Sequence, residues 1–302
     1  MSAFSEAWLV GPSSTNFYTR TYVGEAPNSV LIYLHGAGEH IGRYDETHAL
    51  FAQRGVAVFT FDQRGFGLTA QDEEHRSANS SYGKANWREQ MEDIEWAVKH
   101  VRSEFPNLPI FLMGFSLGGT AVLGFATRED APPEQSTVAL LSGIIGFAPT
   151  VQLVHLPPKL VYLIAKLIRW IMPHALYPIR NKPKDLSRNP KTNAAYLQDP
   201  LVGTPGSLEY IGDGIDYGQD LLNKDYKRWP ENLPILFVHG SADTVASPVK
   251  TEEFYHKIPA TDKKLVIYPG AYHELHNEPD GVKEKVLEDI LAFIDSHSQP
   301  RQ

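Results

Sequence analysis

The stretch IFLMGFSLGG, residues 110–119, places one serine between glycines directly after a run of apolar residues. The pentapeptide Gly-Phe-Ser-Leu-Gly (114–118) follows a predicted strand and precedes a stretch that is compatible with a helix. An abrupt turn from strand into helix leaves no room for side chains two residues before and after the serine, and glycine meets that condition. We interpret Ser116 as a nucleophile held near a helix N-terminus. The alternative is a serine that only completes a turn.

Apolar runs that end at Gly, Asp or Pro alternate with amphipathic stretches along the chain. Because these runs are apolar at every position, they fit strands buried on both faces of a parallel sheet. Residues 86–105 and 284–297 have helical periodicity instead. The alternation predicts a doubly wound, mostly parallel α/β sheet. The six predicted strands are VLIYLHG (30–36), VAVFTFD (56–62), PIFLMG (109–114), VALLSGIIGFAP (138–149), PILFVHG (234–240) and LVIYPG (265–270).

Residues 150–230 interrupt this alternation with proline-rich helical and loop pieces. We therefore predict an α/β core formed by residues 1–149 and 231–302, with a helical cap inserted at 150–230. An insertion at the carboxyl ends of parallel strands is well placed to cover a ligand crevice.

Composition excludes several classes of protein and site. The net charge of −8 gives no general attraction to nucleic acid. The absence of cysteine excludes disulfides and thiolate metal sites. The first ten residues lack a secretory pattern, and no stretch approaches the ~20 apolar residues of a membrane span. We expect an intracellular, cytoplasmic protein. The sequence leaves open whether it contacts the endoplasmic reticulum or lipid droplets peripherally, and it does not indicate an oligomeric state.

A serine nucleophile needs a histidine base and a carboxylate that orients the base. In a strand-turn-helix context, the expected chain order is Ser, then Asp or Glu, then His, each after a strand. Asp243 follows the PILFVHG run and His273 follows LVIYPG, so both meet the order. Asp243 could instead cap the helix predicted at 247–258. His276 competes with His273, and Asp62 precedes the serine and is expected to be structural.

Acyl transfer also needs donors for a developing oxyanion. The amide of Leu117, the residue after the nucleophile, is one candidate, and the amide of Ala37 in LHGAGEH (34–40) is the second. The alternative for the second segment is a glycine-rich turn with no ligand. Histidines and carboxylates show no metal-ligand spacing, so we expect neither a metal nor an organic cofactor.

Four blocks together resemble the monoacylglycerol lipase family of α/β-hydrolases. They are HGAGEHIGRY (35–44), GFSLGG (114–119), HGSADTV (239–245) and YPGAYHELHNE (268–278). LSRNP (186–190) and DPLV (199–202) resemble segments of the family's cap. The resemblance implies an α/β-hydrolase fold, a Ser116–Asp243–His273 triad and an oxyanion hole formed by the Ala37 and Leu117 amides. It further implies hydrolysis of monoacylglycerols to fatty acid and glycerol through an acyl-enzyme.

The resemblance also places Glu39 and Arg43 near the glycerol head group. The alternative is that these two residues form a salt bridge that holds their loop, and the two roles are compatible. The chain departs from the family at Phe115 and Leu117, where relatives commonly have histidine and methionine. Two other functions stay open: a lysophospholipase or broad carboxylesterase with the same triad, and a non-catalytic lipid-binding relative.

The cap contains a predicted helix at residues 158–172 whose Lys159, Tyr162, Lys166 and Arg169 share one stripe within a wide apolar arc. Between Val151 and Pro190 there are seven Lys or Arg and one Asp, although the chain as a whole is acidic. Such a helix suits a position in a lipid interface. Alternatively, its apolar face packs on the body and lines an acyl tunnel. The two arrangements are compatible on different sides of the helix.

Overall fold

The computed structural model describes residues 4–177 and 180–298. In this part of the chain, eight strands form one sheet in the order β1-β2-β4-β3-β5-β6-β7-β8. β1 and β2 are antiparallel to their neighbours, and the strands from β4 to β8 are parallel. The strands are β1 (Ser5–Val10), β2 (Asn16–Tyr22), β3 (Ser29–Leu34), β4 (Val56–Phe61), β5 (Ile110–Phe115), β6 (Leu141–Phe147), β7 (Ile235–Gly240) and β8 (Lys263–Tyr268).

All six predicted strands are present, and the mostly parallel α/β-hydrolase architecture is confirmed. β6 begins three residues later than predicted because Gln135–Val138 forms a short helix. The sequence interpretation missed β1 and β2. β1 lies at the edge of the sheet with mostly exposed positions, so it lacks the continuous apolar run that marks the parallel strands.

Eleven α-helices surround the sheet or lie in the connections of the described segments. The predicted amphipathic helices at 86–105 and 284–297 are present as α3 and α11, and α3 begins after an Asn86 cap. The helices are α1 (Asp45–Gln53), α2 (Gly67–Gln71), α3 (Trp87–Glu104), α4 (Leu117–Thr127), α5 (Gln135–Val138), α6 (Lys159–Ile171), α7 (Pro183–Leu186), α8 (Pro190–Gln198), α9 (Leu208–Asn223), α10 (Pro248–Lys257) and α11 (Val282–Ser296).

The sheet buries a hydrophobic cluster on each face. On one face, alternate residues of β3 such as Val30 and Ile32 pack with α3, α4 and α10. On the other face, Leu31 and Tyr33 pack with α1 and α11. Because both faces are covered, the central strands are buried along their whole length, as their unbroken apolar runs predict.

The four helices α6 to α9 lie between β6 and β7, within the segment predicted to form the cap. The predicted helix at 158–172 is α6, which packs against α9. The domain boundaries at 149/150 and 230/231 stay a prediction. Every helix in residues 4–177 and 180–298 is too short or too polar to cross a membrane.

Candidate active site

The turn between β5 and α4 places Ser116 at the carboxyl edge of the sheet. Its backbone has φ 55° and ψ −120°, a combination that residues other than glycine rarely adopt. The Ser116 amide donates to the Phe147 carbonyl (3.1 Å), and its own carbonyl accepts from the Thr120 amide (3.1 Å). These bonds to β6 and α4 hold the residue in its strained conformation.

The glycines on either side of the serine lie where a side chain has no room. A Cβ on Gly114 would lie 2.1 Å from the Gly118 carbonyl oxygen, and a Cβ on Gly118 would lie 2.4 Å from the His35 oxygen. Helix α4 therefore begins in backbone contact with β5 and with the end of β3. The expected steric reason for this glycine pattern is present.

Asp243 and His273 follow β7 and β8, and the His273 ring lies 4.8 Å from the ring of Phe115, the residue before Ser116. The His273 Nδ1 lies 2.6 Å from Asp243 Oδ2. The other carboxylate oxygen accepts the amides of Val245 (2.7 Å) and Ala246 (3.0 Å). Asp243 does not cap α10, because the side chain of Ser247 accepts the Lys250 amide there. Asp243 and His273, which were selected by the chain order Ser, Asp, His, are thus buried and paired at the carboxyl edge of the sheet.

The surroundings of the pair favour a charged Asp243 carboxylate and a more basic His273 imidazole. Burial raises the pKa of Asp243, but the His273 charge and hydrogen bonds from His239 and His273 outweigh it, so the pKa lies below its usual value. Burial lowers the pKa of His273, but Asp243 outweighs it and the net pKa lies above 6.5. His273 Nε2 is buried and has no hydrogen-bond partner among the described residues. It is thus available to accept a proton.

The competing candidates take structural positions. His276 packs among aromatic rings, including Phe115 and Phe147, and burial lowers its pKa to about 3, so it stays neutral. Asp62 accepts the amides of Ile41 (2.8 Å) and Leu68 (2.6 Å), and burial raises its pKa to about 6. Neither contacts Ser116 or Asp243 through a hydrogen bond in the described residues.

The loop after β3 lies on the opposite side of Ser116 from the Asp243–His273 pair, because the sheet order is β3-β5-β6. Ala37 and Leu117 both line the cavity that contains Ser116. The side chain of His40 bonds Asp199 of the connection after α8 (2.8 Å), and the Gly203 amide donates to the Gly38 carbonyl (3.0 Å). These two hydrogen bonds therefore hold the loop that carries Ala37 against the segment between β6 and β7.

Glu39 and Arg43 form a buried charged network behind this loop. Glu39 accepts the Gly36 amide (2.6 Å) and bonds the Tyr44 hydroxyl and the Arg43 guanidinium. Arg43 also pairs with Glu274 (2.7 Å). Neither Glu39 nor Arg43 is among the lining residues of the cavity. The structure shows the salt bridge, and a head-group contact through Glu39 and Arg43 stays a prediction.

The cavity above Ser116 has a volume of about 480 Å³ and is lined mainly by residues of the segment between β6 and β7. Val161 and Ala165 of α6 contribute apolar side chains to the cavity wall, and Arg180 and Lys182 contribute positively charged ones. Its volume is in the range of pockets that hold one small ligand. In the part of the chain that the structure describes, His, Asp and Glu side chains form no group of three that could hold a metal ion.

Three residues near the site were not found from the sequence. His239 bonds Asp243 Oδ2 (3.0 Å), Glu274 pairs with Arg43, and Thr150 bonds the Ser116 hydroxyl (3.1 Å). His239 and Glu274 lie inside the quoted blocks, so their nearness in sequence to Asp243 and His273 was an available signal. Thr150 follows β6 without any motif of its own.

We predict that Arg43→Met destabilises the protein by about 3–5 kcal/mol, because it leaves Glu39 and Glu274 buried without their cation. Urea unfolding measures the loss. The matched control is Arg54→Met, which breaks the exposed Arg54–Glu288 pair and should hardly change the midpoint. Equal midpoints for the two variants would show that the buried network carries no such role.

Comparisons with known proteins identify the family of the chain. The Hydrolase_4 family, described as serine aminopeptidase, S33, matches residues 25–280. The chain is 31% identical to the monoglyceride lipase of Rattus norvegicus over 273 residues, which cover 89% of this chain and 82% of that protein. It is 28% identical to the monoacylglycerol lipase of Mycolicibacterium smegmatis, with 90% and 89% covered.

A solved structure is similar over the whole chain. It is a soluble variant of monoglyceride lipase from Saccharomyces cerevisiae in complex with a substrate analog. The TM-score is 0.83 at 23% identity, and the match covers 100% of this chain and 96% of that one. This likeness supports the fold. The chain therefore belongs to the Hydrolase_4 family and, with the monoglyceride lipases that it matches, to the monoacylglycerol lipase family of α/β-hydrolases.

Proposed function

We propose that the protein is a serine hydrolase whose catalytic triad is Ser116, Asp243 and His273. The observation that carries the proposal is the buried Asp243–His273 pair beside a serine on a strained turn. In acylation, Ser116 Oγ attacks the ester carbonyl and His273 Nε2 takes its proton, while Asp243 holds the imidazole tautomer. His273 then protonates the leaving alcohol. Water activated by His273 hydrolyses the acyl-enzyme.

The amides of Ala37 and Leu117 are the proposed oxyanion donors. Both residues line the cavity, and neither amide donates to a protein acceptor in the described residues. Leu117 is the first residue of α4, where the positive end of the helix dipole favours negative charge. The reaction in this form needs no metal or organic cofactor.

We propose monoacylglycerols as the substrate, cleaved to fatty acid and glycerol. The proposal rests on the monoglyceride lipases among the relatives and on a cavity whose wall includes apolar residues such as Val161 and Leu208. A second candidate is lysophospholipid hydrolysis. It is favoured by Arg180 and Lys182 on the cavity wall, since neither has a carboxylate within ion-pair distance among the described residues. A non-catalytic relative is disfavoured because all three triad residues are present.

A hydrolysis panel tests the substrate proposal. It compares kcat/KM for monoacylglycerols, diacylglycerols, lysophospholipids and short p-nitrophenyl esters. We expect the highest value for monoacylglycerols, and a loss of about 10³-fold or more in Ser116→Ala. Ser80→Ala, a serine of equal burial away from the site, is the matched control and should retain full activity. Preference for lysophospholipids would favour the second candidate, and full activity of Ser116→Ala would refute the mechanism.

The pH dependence follows from the pKa of His273. The reaction needs neutral His273, whose pKa is raised by Asp243, so we expect kcat/KM to fall as the pH drops through a midpoint above 6.5. In Asp243→Asn the opposite charge is gone, so the midpoint should move to lower pH and kcat should drop by about 10³- to 10⁴-fold.

The matched control for the pH profile is Asp262→Asn, which removes an exposed carboxylate 3.0 Å from His297. Asp262 precedes β8, whereas His273 follows it, so the two residues lie at opposite ends of that strand. The profile of Asp262→Asn should equal that of the wild type. An acid midpoint in Asp243→Asn that equals or exceeds the wild-type midpoint would contradict the assigned roles.

We further propose that α6 contacts a lipid surface. Its polar stripe faces α9, since Lys166 pairs with Asp216 (3.3 Å) and Arg169 with Asp213 (3.5 Å) and Asp216 (3.0 Å). The opposite side is apolar and exposed to solvent. Its residues Leu160, Leu163, Leu167, Trp170 and Ile171 are 61–83% exposed.

An exposed apolar helix face with cations in the chain segment that follows it suits an anionic membrane surface. Lys182 and Lys184 lie close after α6 in the chain, are exposed and have no ion-pair partner in the described residues. Lys182 and Lys184 therefore offer positive charge to an anionic surface, whereas Lys166 and Arg169 are already paired with carboxylates. Such contact would bring a poorly soluble substrate to the cavity, to which α6 also contributes wall.

Vesicle flotation tests this contact. We expect the wild type to float with anionic phosphatidylglycerol vesicles and the variant Leu167→Ser, Ile168→Ser, Ile171→Ser to remain unbound. The control variant is Val10→Ser, Val23→Ser, Val249→Ser, which removes three exposed apolar side chains elsewhere and should float normally. Undiminished flotation of the α6 variant would refute the proposal.

A further inference from the structure

The hydroxyl of Ser116 is hydrogen-bonded to a residue outside the proposed triad. Ser116 Oγ lies 3.1 Å from Thr150 Oγ1, and both residues are buried. At the same time, His273 Nε2 is buried without a hydrogen-bond partner in the described residues. The Ser116 hydroxyl therefore bonds Thr150 in this structure, and the Nε2 atom of His273, which must take its proton, bonds no other described residue.

The backbone fixes Thr150 in this position. Its amide donates to the Ser116 carbonyl (3.0 Å), and its carbonyl accepts the Thr120 hydroxyl of α4 (2.8 Å). Thr150 is thus attached both to the serine and to the helix that begins after it. Because Thr150 is β-branched and its backbone is fixed, its hydroxyl has few alternative rotamers, whereas the serine hydroxyl can rotate more freely about its χ1 angle.

The sheet order decides what this hydroxyl can do. Ala37 follows β3 on one side of β5, and Thr150 follows β6 on the other side, towards β7 and β8. Thr150 therefore lies on the side of Asp243 and His273 and away from the proposed oxyanion amide of Ala37. A role as a third oxyanion donor does not fit this placement, and competition with His273 for the serine hydroxyl does.

We propose that Thr150 is a positioning residue that holds the Ser116 hydroxyl away from His273 until substrate binds. This inference rests on the function proposed above. For attack, the Ser116–Thr150 bond breaks and the hydroxyl rotates to His273. The Oγ–H proton then passes to Nε2, the Oγ–carbonyl carbon bond forms, and the carbonyl π electrons move onto the oxygen. Thr150 is unchanged chemically.

The effect is confined to acylation. Either hydroxyl can donate in the Ser116–Thr150 bond, and the bond competes with His273 when Ser116 Oγ donates its proton to Thr150. In the acyl-enzyme, Oγ is an ester oxygen with no proton, and the competition with His273 has ended. If Thr150 only stabilised the fold, its substitution would change the rates of both acylation and deacylation, or the melting temperature. Measuring the two rates separately therefore distinguishes a positioning role from a structural one.

The test compares hydroxyl-free and hydroxyl-bearing variants at position 150. Thr150→Val keeps the shape of the side chain and removes the hydroxyl, Thr150→Ala is a second hydroxyl-free variant, and Thr150→Ser restores it. The matched control is Thr251→Val, a buried threonine whose hydroxyl bonds the Pro149 carbonyl (3.5 Å) beside Thr150 but does not contact Ser116. Two rates are measured: fluorophosphonate labelling for acylation, and single-turnover release of a p-nitrophenyl ester's acyl group for deacylation.

We expect labelling of Thr150→Val to be about two- to tenfold faster than wild type, the range that one neutral hydrogen bond accounts for. Deacylation should be unchanged, Thr150→Ser should label at the wild-type rate, and Thr251→Val should match wild type in both rates. Labelling of the folded Thr150→Val or Thr150→Ala variants at or below the wild-type rate would overturn the inference. Failure of the wild type itself to label at Ser116 would instead overturn the proposed function.

Discussion

The site depends on the close backbone contact at the turn between β5 and α4. Because the Gly114 and Gly118 backbones touch, the chain reverses within a few residues and leaves Ser116 in a strained conformation above the sheet. Parallel strands put their carboxyl ends at one edge, so the loops after β3, β7 and β8 reach the same place. A larger residue at either glycine would push α4 away from β3 and separate the serine from these loops.

A second constraint joins the loops to each other. Arg43 pairs with Glu39, which accepts the Gly36 amide in the loop that carries Ala37, and with Glu274, which follows His273 in the chain. Burial lowers the pKa of Arg43, but Glu274 and Glu39 outweigh it, so the guanidinium stays charged. Charged side chains that the family resemblance placed at a head group thus connect the proposed base to the proposed oxyanion donors. Such fixed dipoles and charges are what preorganised acyl transfer requires.

The sequence predicts those parts of the molecule whose physics is local. Buried parallel strands have unbroken apolar runs, and the glycine spacing around Ser116 follows from a steric clash between near neighbours. Edge strand β1 has neither signal. The Arg43–Glu274 pair could not be predicted, because the two residues lie more than 200 positions apart in the sequence. Thr150 escaped notice for the same reason, since its contact with Ser116 exists only once β5 and β6 pair.

The orientation of α6 could not be predicted from the sequence either. Its sequence indicates an apolar arc and a polar stripe, and both a buried and an interfacial position satisfy that pattern. The carboxylates of Asp213 and Asp216 hold the polar stripe towards α9 and leave the wide apolar side exposed to solvent. Val161 and Ala165, between the two sides, line the cavity.

The central claim, that Ser116 is acylated during turnover, is tested most directly by acid-quenching the enzyme while it hydrolyses a p-nitrophenyl acyl ester and measuring the intact mass. The account predicts a single acyl adduct per chain, on the peptide that contains Ser116, and no adduct in Ser116→Ala. An adduct on another residue, or turnover that never yields a covalent intermediate, would contradict it.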